Sequence, residues 1–584
     1  DMYAQTICYG LFAARCNAKG GEPFTRQHAA YDLPKTNPFL RKMFGHIAGP
    51  DLDERIVWAV DDLAELLNRA DIAAILQDFG KRTRREDPVV HFYETFLAAY
   101  DPKMREARGI YYTPEPVVSY IVRSVDHILK TDFGLPEGFA DSSKIKVKNP
   151  DTKEKADVHK VLILDPAVGT GTFLFSVIDL INESFKGNKG LWSSYVSQHL
   201  LPRLFGFELL MAPYAVAHMK LGLQLAETGY DFKTDERLRI YLTNTLEEAH
   251  ELTGLPLFTQ WLAEEANAAG KVKQEAPVMV VLGNPPYSVS SQNKGDWISR
   301  LLKDYKKDLN ERKLNLDDDF IKFFRFAQWR IEQTGYGILA FISNHTYLDG
   351  TTHRRMRQSL METFDDITIL DLHGDTRKNK ACPDGSPDKN VFDIQQGVAI
   401  GIFVKRPGVK KKTASVRHTH LWGIREAKYH WLLSNDVSTT EWTKVSPQKP
   451  SFFFVKIDTG LEKEYLGGTP INHALNLTWS GIQTKRDSLV VNWSADDTWR
   501  SVVSISHMSP QEVIERYNLP EDGRDWKAGW AINDIRSSGP DRALVRSVAY
   551  RPFDTRWLYY TGSTKGLVAY PRREASRHMI AGPN

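Results

Sequence analysis

Val161-Leu-Ile-Leu-Asp165-Pro-Ala-Val-Gly169-Thr-Gly171-Thr-Phe-Leu174 is the stretch that decides the architecture. Four consecutive apolar residues read as a buried strand, the two glycines as a tight turn, and Thr172 onward as the opening of a helix. Gly169 and Gly171 allow the backbone close to a ligand, and the helix start supplies oriented N–H donors. No Lys-Ser or Lys-Thr pair follows, so the turn is not a phosphate-cradling loop. Asp165 offers a carboxylate to a cationic amino-acid moiety. Further on, Leu204-Phe-Gly-Phe-Glu208 ends a second short strand on an acid suited to ribose hydroxyls. The competing reading of Glu208 is a carboxylate stabilising a helix start.

Around this unit, short apolar runs alternate with helical stretches: Leu238–Leu242, Val278–Leu282, Gly337–Ile342, Ile367–Leu370 and Val398–Val404. Strands alternating with helices imply an α/β fold with a doubly wound parallel sheet. Upstream, Ile56, Val60, Leu63, Leu66 and Leu67 recur at three- and four-residue spacing, which predicts a helical N-terminal module. After Pro407 a lysine run, Lys410 to Lys412, opens a region rich in aromatics and turn residues, expected to be mixed α and β. The Gly-, Pro- and Lys-bearing stretch from Gly374 to Asn390 is expected to be a mobile loop. Pro150-Asp-Thr-Lys-Glu-Lys155 reads as a charged surface loop rather than a set of nuclease carboxylates.

The 584 residues, 42% of them hydrophobic, are enough for two or three separately packed domains. Neither a bilayer-length apolar stretch nor a secretory signal stands in the sequence, so a cytoplasmic protein with no membrane association is expected. Cys8, Cys16 and Cys382 are too few and too scattered for a disulfide framework or a structural zinc site. The net charge of +3 hides an asymmetry: from Val409 onward 25 Lys and Arg face 18 Asp and Glu, against 51 and 55 in the rest. That basic excess fits contact with a phosphate backbone, and equally a solvated basic face. The last residues, Ala581 to Asn584, resemble no natural stop, and a fragment is expected.

The strand Val278–Leu282 runs into Gly283-Asn-Pro-Pro-Tyr287. Two prolines stiffen the turn and remove competing N–H donors, leaving the Asn284 amide and the Pro285 carbonyl to project together. Such acceptors suit an amino group conjugated with an aromatic ring, on which Tyr287 can stack. A base inside a duplex cannot present its amine in line with a methyl donor, so the nucleotide would have to be flipped out. A sulfonium-bound methyl is already activated, so neither a covalent nucleophile nor a metal is required. No His or Cys cluster of ligand spacing suggests a metal.

With Asp165 to Gly171 as a cofactor motif and Asn284 to Tyr287 as a catalytic one, the sequence resembles the amino-methyltransferases of DNA. Arg108-Gly-Ile-Tyr-Tyr-Thr-Pro-Glu-Pro116 resembles the motif preceding the cofactor loop in the adenine-N6 (gamma) class whose recognition domain is C-terminal. Gly481-Ile-Gln-Thr-Lys-Arg-Asp487 and Tyr550-Arg-Pro-Phe-Asp-Thr-Arg-Trp557 are similar to the recognition domain of the single-chain type ISP restriction-modification enzymes. The helical N-terminal region looks like the coupler of the type ISP and type IIG enzymes.

The resemblance implies a helical coupler over 1–105, a Rossmann-like N6-adenine methyltransferase over 106–408, and a DNA specificity domain over 409–584. It implies S-adenosyl-L-methionine as cofactor, held by Tyr111, Tyr112, Thr113, Pro114, Asp165, Pro166, Ala167, Gly169, Thr170, Gly171, Thr172, Phe173, Glu208 and Asn244. Asn284, Pro285, Pro286 and Tyr287 would be catalytic. Asn244 stands where the family usually places an acid. Phe392 matches an aromatic that stacks with Tyr287 on the flipped base, and reads as well as a core phenylalanine. Lys485, Arg486, Arg551 and Arg556 are the basic residues expected on double-stranded DNA; for Arg551 and Arg556 a core with buried ion pairs is the other reading.

The nuclease and helicase-like motor that type ISP enzymes carry are not recognisable here, and would lie upstream in a longer protein. Other readings are a cytosine-N4, RNA or protein-glutamine methyltransferase, and a DNA-binding specificity subunit of a phage-defence complex that methylates only with partners.

Overall fold

The computed structural model describes residues 2–18, 23–33, 37–47, 52–77, 113–148, 155–230, 232, 236–249, 257–287, 291–309, 316–378, 381–409, 413–458, 460–475 and 479–581. The chain forms two compact units, 1–457 and 458–584.

In the first unit a nine-stranded sheet is built from β3 (Ile163–Asp165), β4 (Leu204–Glu208), β5 (Arg239–Leu242), β6 (Val280–Gly283), β7 (Gly337–Asn344), β8 (Asp366–His373), β9 (Val398–Lys405), β10 (Ser415–His420) and β11 (Thr443–Val445). Its spatial order is β11-β10-β8-β9-β7-β6-β3-β4-β5. Ahead of it, β1 (Lys144–Lys148) and β2 (Lys155–His159) form a separate antiparallel hairpin. The segment read as a charged loop, 150–155, lies outside the described residues up to Lys155, the first residue of β2.

All the expected runs are strands. β7 is buried along its whole length, as the apolar run Gly337–Ile342 requires of a strand covered on both faces. β5, β4, β3, β6 and β7 are mutually parallel. The expectation of a parallel sheet fails at β9, which runs antiparallel to both β7 and β8. Among the described residues, only a short 3-10 turn, Thr376–Lys378, lies between β8 and β9, and without a crossover helix the chain returns antiparallel.

Nor is that connection loose. Asp388 accepts the Gly374 N–H (2.7 Å) and the Lys428 ammonium (2.7 Å), and Lys428 also donates to the carbonyls of Leu372 and Lys389, with both partner side chains at most 1% exposed. The expected mobile loop is therefore pinned to the sheet.

The helices of the N-terminal region are α1 (Met2–Asn17), α2 (Arg26–Asp32), α3 (Pro38–Ile47), α4 (Glu54–Arg69) and α5 (Ile72–Gln77); residues 78–112 lie outside the described set. The rest of the first unit adds α6 (Glu115–Asp132), α7 (Thr172–Ser184), α8 (Met211–Glu227), α9 (Leu257–Gln274), α10 (Asp319–Thr334), α11 (Arg354–Thr363) and α12 (Arg425–Ser434). The N-terminal helices share the core of the first unit, where the Tyr214 hydroxyl on α8 donates to Asn37 Oδ1 at 3.1 Å.

The expected boundary at 408/409 falls inside this unit. β10 pairs with β8 and carries β11, so the sheet continues past it. α6 holds the same segment, through Arg123 to the Leu432 carbonyl (2.6 Å) and Ser124 Oγ to the Val437 N–H (2.9 Å).

The second unit has its own core around Trp526, Ile532, Ile535 and Tyr559. It contains α13 (Ala495–Ser506), α14 (Pro510–Arg516), α15 (Ala528–Ser538) and a three-stranded antiparallel sheet, β12 (Val545–Arg551), β13 (Asp554–Tyr559) and β14 (Ile580–Ala581). It is mixed α and β, as its composition suggests. No helix of the described residues is long and apolar enough to cross a membrane.

Candidate active site

β3 and β6 are neighbours, with Ile163 opposite Val280 and Leu164 opposite Val281. The strand order reverses between them, so the loops leaving their carboxyl ends part to opposite faces and open a crevice. One of those loops is the glycine turn and the other is Asn284–Tyr287. The strand ends touch: a Cβ on Gly283, whose φ is +155°, would lie 2.7 Å from Asp165 Oδ1. Glycine is needed there because any side chain would displace that carboxyl.

The turn after β3 is held by its own backbone and by Glu208. Asp165 Oδ1 accepts the Ala167 N–H at 3.1 Å, and Gly171 N–H reaches the Val168 carbonyl at 2.8 Å. Gly169 and Gly171 both have left-handed φ, +54° and +85°, and Gly171 is the N-cap of α7. A Cβ on Gly169 would have only the Ala167 carbonyl oxygen nearby, at 4.0 Å, so a ligand can approach the backbone there. Glu208, at the end of β4, takes the Gly169 N–H on one oxygen (2.9 Å) and the Leu210 N–H on the other (2.8 Å).

Thr245 Oγ1 donates to the Pro166 carbonyl, and Lys220 Nζ approaches Thr172 Oγ1 at 3.4 Å. Ala167 and Thr170 are half-buried, whereas the Phe173 ring is in the core at 3% exposure. Burial, reinforced by the Glu208 charge and opposed by the Ala167 N–H, pushes the Asp165 carboxyl up to about 8.

Asn284 donates through Nδ2 to Thr113 Oγ1 at 2.9 Å, across 171 positions of sequence. Thr113 is buried and Pro114 caps α6, so the described end of the expected cofactor motif, Thr113-Pro114, sits against the catalytic one; Tyr111 and Tyr112 lie outside the described residues. Pro285 is buried and Pro286 half-buried. Tyr287 is 6% exposed, and burial holds its phenol well above the usual range.

Phe392, the expected stacking partner, is 4% exposed and packed in the core, so in this form neither ring is presented to a base. For Phe392 the core reading is the observed one: Arg425 grips the Phe392 carbonyl (2.8 Å) and Asn390 Oδ1 takes its N–H (2.9 Å).

Asn244 spends both amide hydrogens on Glu247 Oε1 (3.0 Å) and Asn293 Oδ1 (2.9 Å), while its oxygen accepts the Leu246 N–H. It thereby links the loop after β5 to the segment following the catalytic motif. That segment is anchored by residues that sequence reading missed. Ser291 Oγ and Asn293 Nδ2 both donate to Asp319 Oδ1, and the 1%-exposed Lys322 ammonium donates to Ser291 Oγ and the Asn293 carbonyl, each at 2.6 Å. Asp319 and Lys322 stand one turn apart at the start of α10. An i, i+3 pair of opposite charge in an apolar helix was the only sequence signal for them.

In the second unit, Tyr550 Oη donates to Asp487 Oδ2 at 2.8 Å, which brings the two quoted specificity segments together. Arg551 is exposed. Arg556 is paired with both oxygens of Asp554 (2.6 and 3.0 Å) and lies 3.0 Å over the Trp493 ring. Neither is a core residue, although Arg556 is partly buried by its partners. Arg486 stacks on Trp526 and donates to the carbonyls of Pro520 and Glu521; Lys485, with φ +62°, is near Asp525 at 3.9 Å. The hairpin tip between β12 and β13 carries a fully exposed Phe553 beside Arg551.

The absence of a histidine cluster, expected from spacing, does not hold in three dimensions. His345, Asp371 and His373 converge, as do Asp371, His418 and His420.

Residues 84–367 match the N-6 DNA Methylase family and residues 474–584 the Type ISP C-terminal specificity domain. No curated protein matches the chain. Among solved structures it is similar in fold to a DrdV–DNA complex, with 23% identity over 91% of this chain and 49% of that one, at a TM-score of 0.59. A nuclease-deletion mutant of the Type ISP restriction-modification enzyme LlaGI with a DNA substrate mimic gives 20%, 98%, 45% and 0.66. The ATP-dependent Type ISP restriction-modification enzyme LlaBIII bound to DNA gives 20%, 96%, 36% and 0.64. The chain thus spans half or less of these relatives' length. Residues 84–367 thus match an N-6 DNA methylase region and residues 474–584 a Type ISP C-terminal specificity domain.

Proposed function

We propose that this chain is the methyltransferase and target-recognition part of a restriction-modification enzyme, a site-specific DNA adenine-N6 methyltransferase that transfers the methyl group of S-adenosylmethionine to a flipped adenine. The observation that carries this reading is the adjacency of the two loops: the glycine turn after β3 and Asn284–Tyr287 after β6 open on one crevice, with Gly283 against Asp165.

The left-handed glycine turn, the Glu208 carboxylate at the end of β4 and the Asp165 carboxyl are of the chemistry that suits the ribose and the ammonium of such a cofactor. When bound, the cofactor supplies a sulfonium-activated methyl group. Asn284 Oδ1 and the Pro285 carbonyl then accept the hydrogens of the adenine amine, orienting the nitrogen lone pair toward the methyl. Thr113 holds the Asn284 amide nitrogen, and the rigid Pro-Pro turn keeps both acceptors in place.

Within this reading the helices of 1–105 serve as coupler and the second unit reads the target, with Lys485, Arg486, Arg551 and Arg556 as its basic contacts to double-stranded DNA. Nuclease and motor domains belong to a longer form of the protein.

Labelled S-adenosylmethionine incubated with unmethylated genomic DNA, followed by nucleoside analysis, tests the assignment. Label is expected in N6-methyladenine, with Asn284→Ala reducing transfer by about 100-fold or more, the scale on which losing a preorganised hydrogen-bonding group acts. Label in N4-methylcytosine, or undiminished transfer by the variant, would sink it. Cofactor binding without any transfer would favour the partner-dependent specificity subunit.

A further inference from the structure

At the carboxyl end of the sheet, on the side away from the cofactor turn, four histidines and one aspartate crowd together. Their convergence follows from strand geometry. Alternation puts His418 and His420 on the same face of β10, and the parallel register sets His420 beside Asp371 of the neighbouring β8. A register shift between Asp371 and His373 turns the end of β8, and His373 adopts a left-handed φ of +54°. His345 enters from the end of β7, its N–H held by the Gly397 carbonyl at 3.0 Å.

The donor atoms approach one another closely, in two triads that share Asp371. His345 Nδ1 lies 2.9 Å from Asp371 Oδ1, His373 Nδ1 lies 3.4 Å from Asp371 Oδ2, and His373 Nε2 lies 2.8 Å from His420 Nδ1. In each of the triads His345–Asp371–His373 and Asp371–His418–His420, one donor atom per residue falls within 4.8 Å of the others. Ligands of a tetrahedral ion with bonds of about 2.0–2.1 Å stand about 3.3 Å apart. His418, 2% exposed, has its Nε2 buried without a hydrogen-bond partner. A buried imidazole nitrogen left without a partner costs about 1–3 kcal/mol, and a cation would use that lone pair. The Trp422 ring lies flat on His373, with ring centres 3.4 Å apart, and covers the cluster.

We propose that this cluster binds one divalent transition-metal ion of the zinc class, with Asp371 and His418 as ligands and the remaining positions filled from His345, His373 and His420. Imidazole-rich sites with a single carboxylate select such ions over magnesium or calcium, whose sites are built of oxygen. The ion ties the ends of β7, β8 and β10 together, on residues separate from the methyl-transfer crevice, so the assignment stands or falls independently of that activity.

Untagged full-length protein, stripped with a chelator and dialysed against zinc, is expected to retain about one equivalent by elemental analysis and to melt at a higher temperature than the stripped form. Cobalt(II) substitution should give visible d–d absorption, and X-ray absorption should show nitrogen and oxygen neighbours including imidazole. His418→Ala and Asp371→Asn should each weaken zinc at least about tenfold, while His127→Ala, on the exposed side of α6, leaves it unchanged. Wild-type protein that holds no zinc and gives no cobalt band overturns the proposal. So do variants that bind as tightly as wild type, or sulfur neighbours pointing to a cysteine. If the variants do not fold, the wild-type X-ray absorption decides.

Discussion

Asp165 sits where a carboxyl pays heavily for its charge, at the buried end of β3 with Glu208 nearby, and its proton is held up to about 8. Since the unfolded carboxyl ionises near 3.8, the folded protein keeps a proton that the unfolded chain has released between those two values. Stability therefore falls as pH rises through that window and levels off above about 8. Asp165→Asn, which keeps the shape and removes the charge, should flatten the melting temperature measured from about pH 6 to about pH 9. If an ammonium group of the cofactor lies against Asp165, the same substitution weakens cofactor binding most at the alkaline end; a pH-independent loss would contradict that contact. Thr113→Val tests the second residue-scale device. Losing one hydrogen bond that orients Asn284 is worth about 1 kcal/mol, so kcat/KM should fall about fivefold.

At the scale of elements, Asn284–Tyr287 lies between two anchored stretches. β6 fixes its start, and α10 holds the segment beyond it through Asp319 and Lys322. Lys322→Met removes the ammonium from Ser291 and the Asn293 carbonyl, leaving both acceptors buried at a cost of about 1–3 kcal/mol. A lower melting temperature is expected, together with a transfer rate reduced more than cofactor affinity; equal loss of both would show that Lys322 supports the whole crevice instead. The strands themselves were legible in the sequence because each is a short apolar run between turn residues, and β4 begins and ends on the expected residues. The antiparallel sense of β9 was not, because strand direction depends on what connects two strands, and the Gly374–Asn390 stretch gives no sign that Asp388 pins it to Lys428.

For the molecule as a whole, the boundary that matters physically is 457/458, since the sheet and α12 continue through the lysine-rich join after Pro407. A chain ending at 457 should fold, bind the cofactor and lose specific DNA binding, as read by melting, calorimetry and band shift. One ending at 408 loses β10, β11 and α12 and leaves Asp388 buried without Lys428, a loss of about 3–5 kcal/mol from that pair alone. It should be insoluble or partly unfolded. A stable, cofactor-binding 1–408 fragment would contradict this account.

The sequence by itself determined the class of fold and the two motifs on which the proposed chemistry rests. The glycine turn and Asn284–Tyr287 are contiguous, and contiguous residues carry their local geometry with them. The helical start, the alternating middle and the basic, aromatic end were likewise legible from periodicity and composition. Tertiary structure alone decided what depends on strands meeting: that Thr113 holds Asn284, that Phe392 lies in the core, that Asn244 braces a loop, and that Asp371 of β8 joins two triads, one with His345 and His373 and one with His418 and His420 of β10. His418-Thr-His420 and Asp371-Leu-His373 each show the i, i+2 spacing that puts two side chains on one face of a strand. Only the register between β8 and β10 turns those two local pairs into a common site, and register is set by packing across the whole sheet.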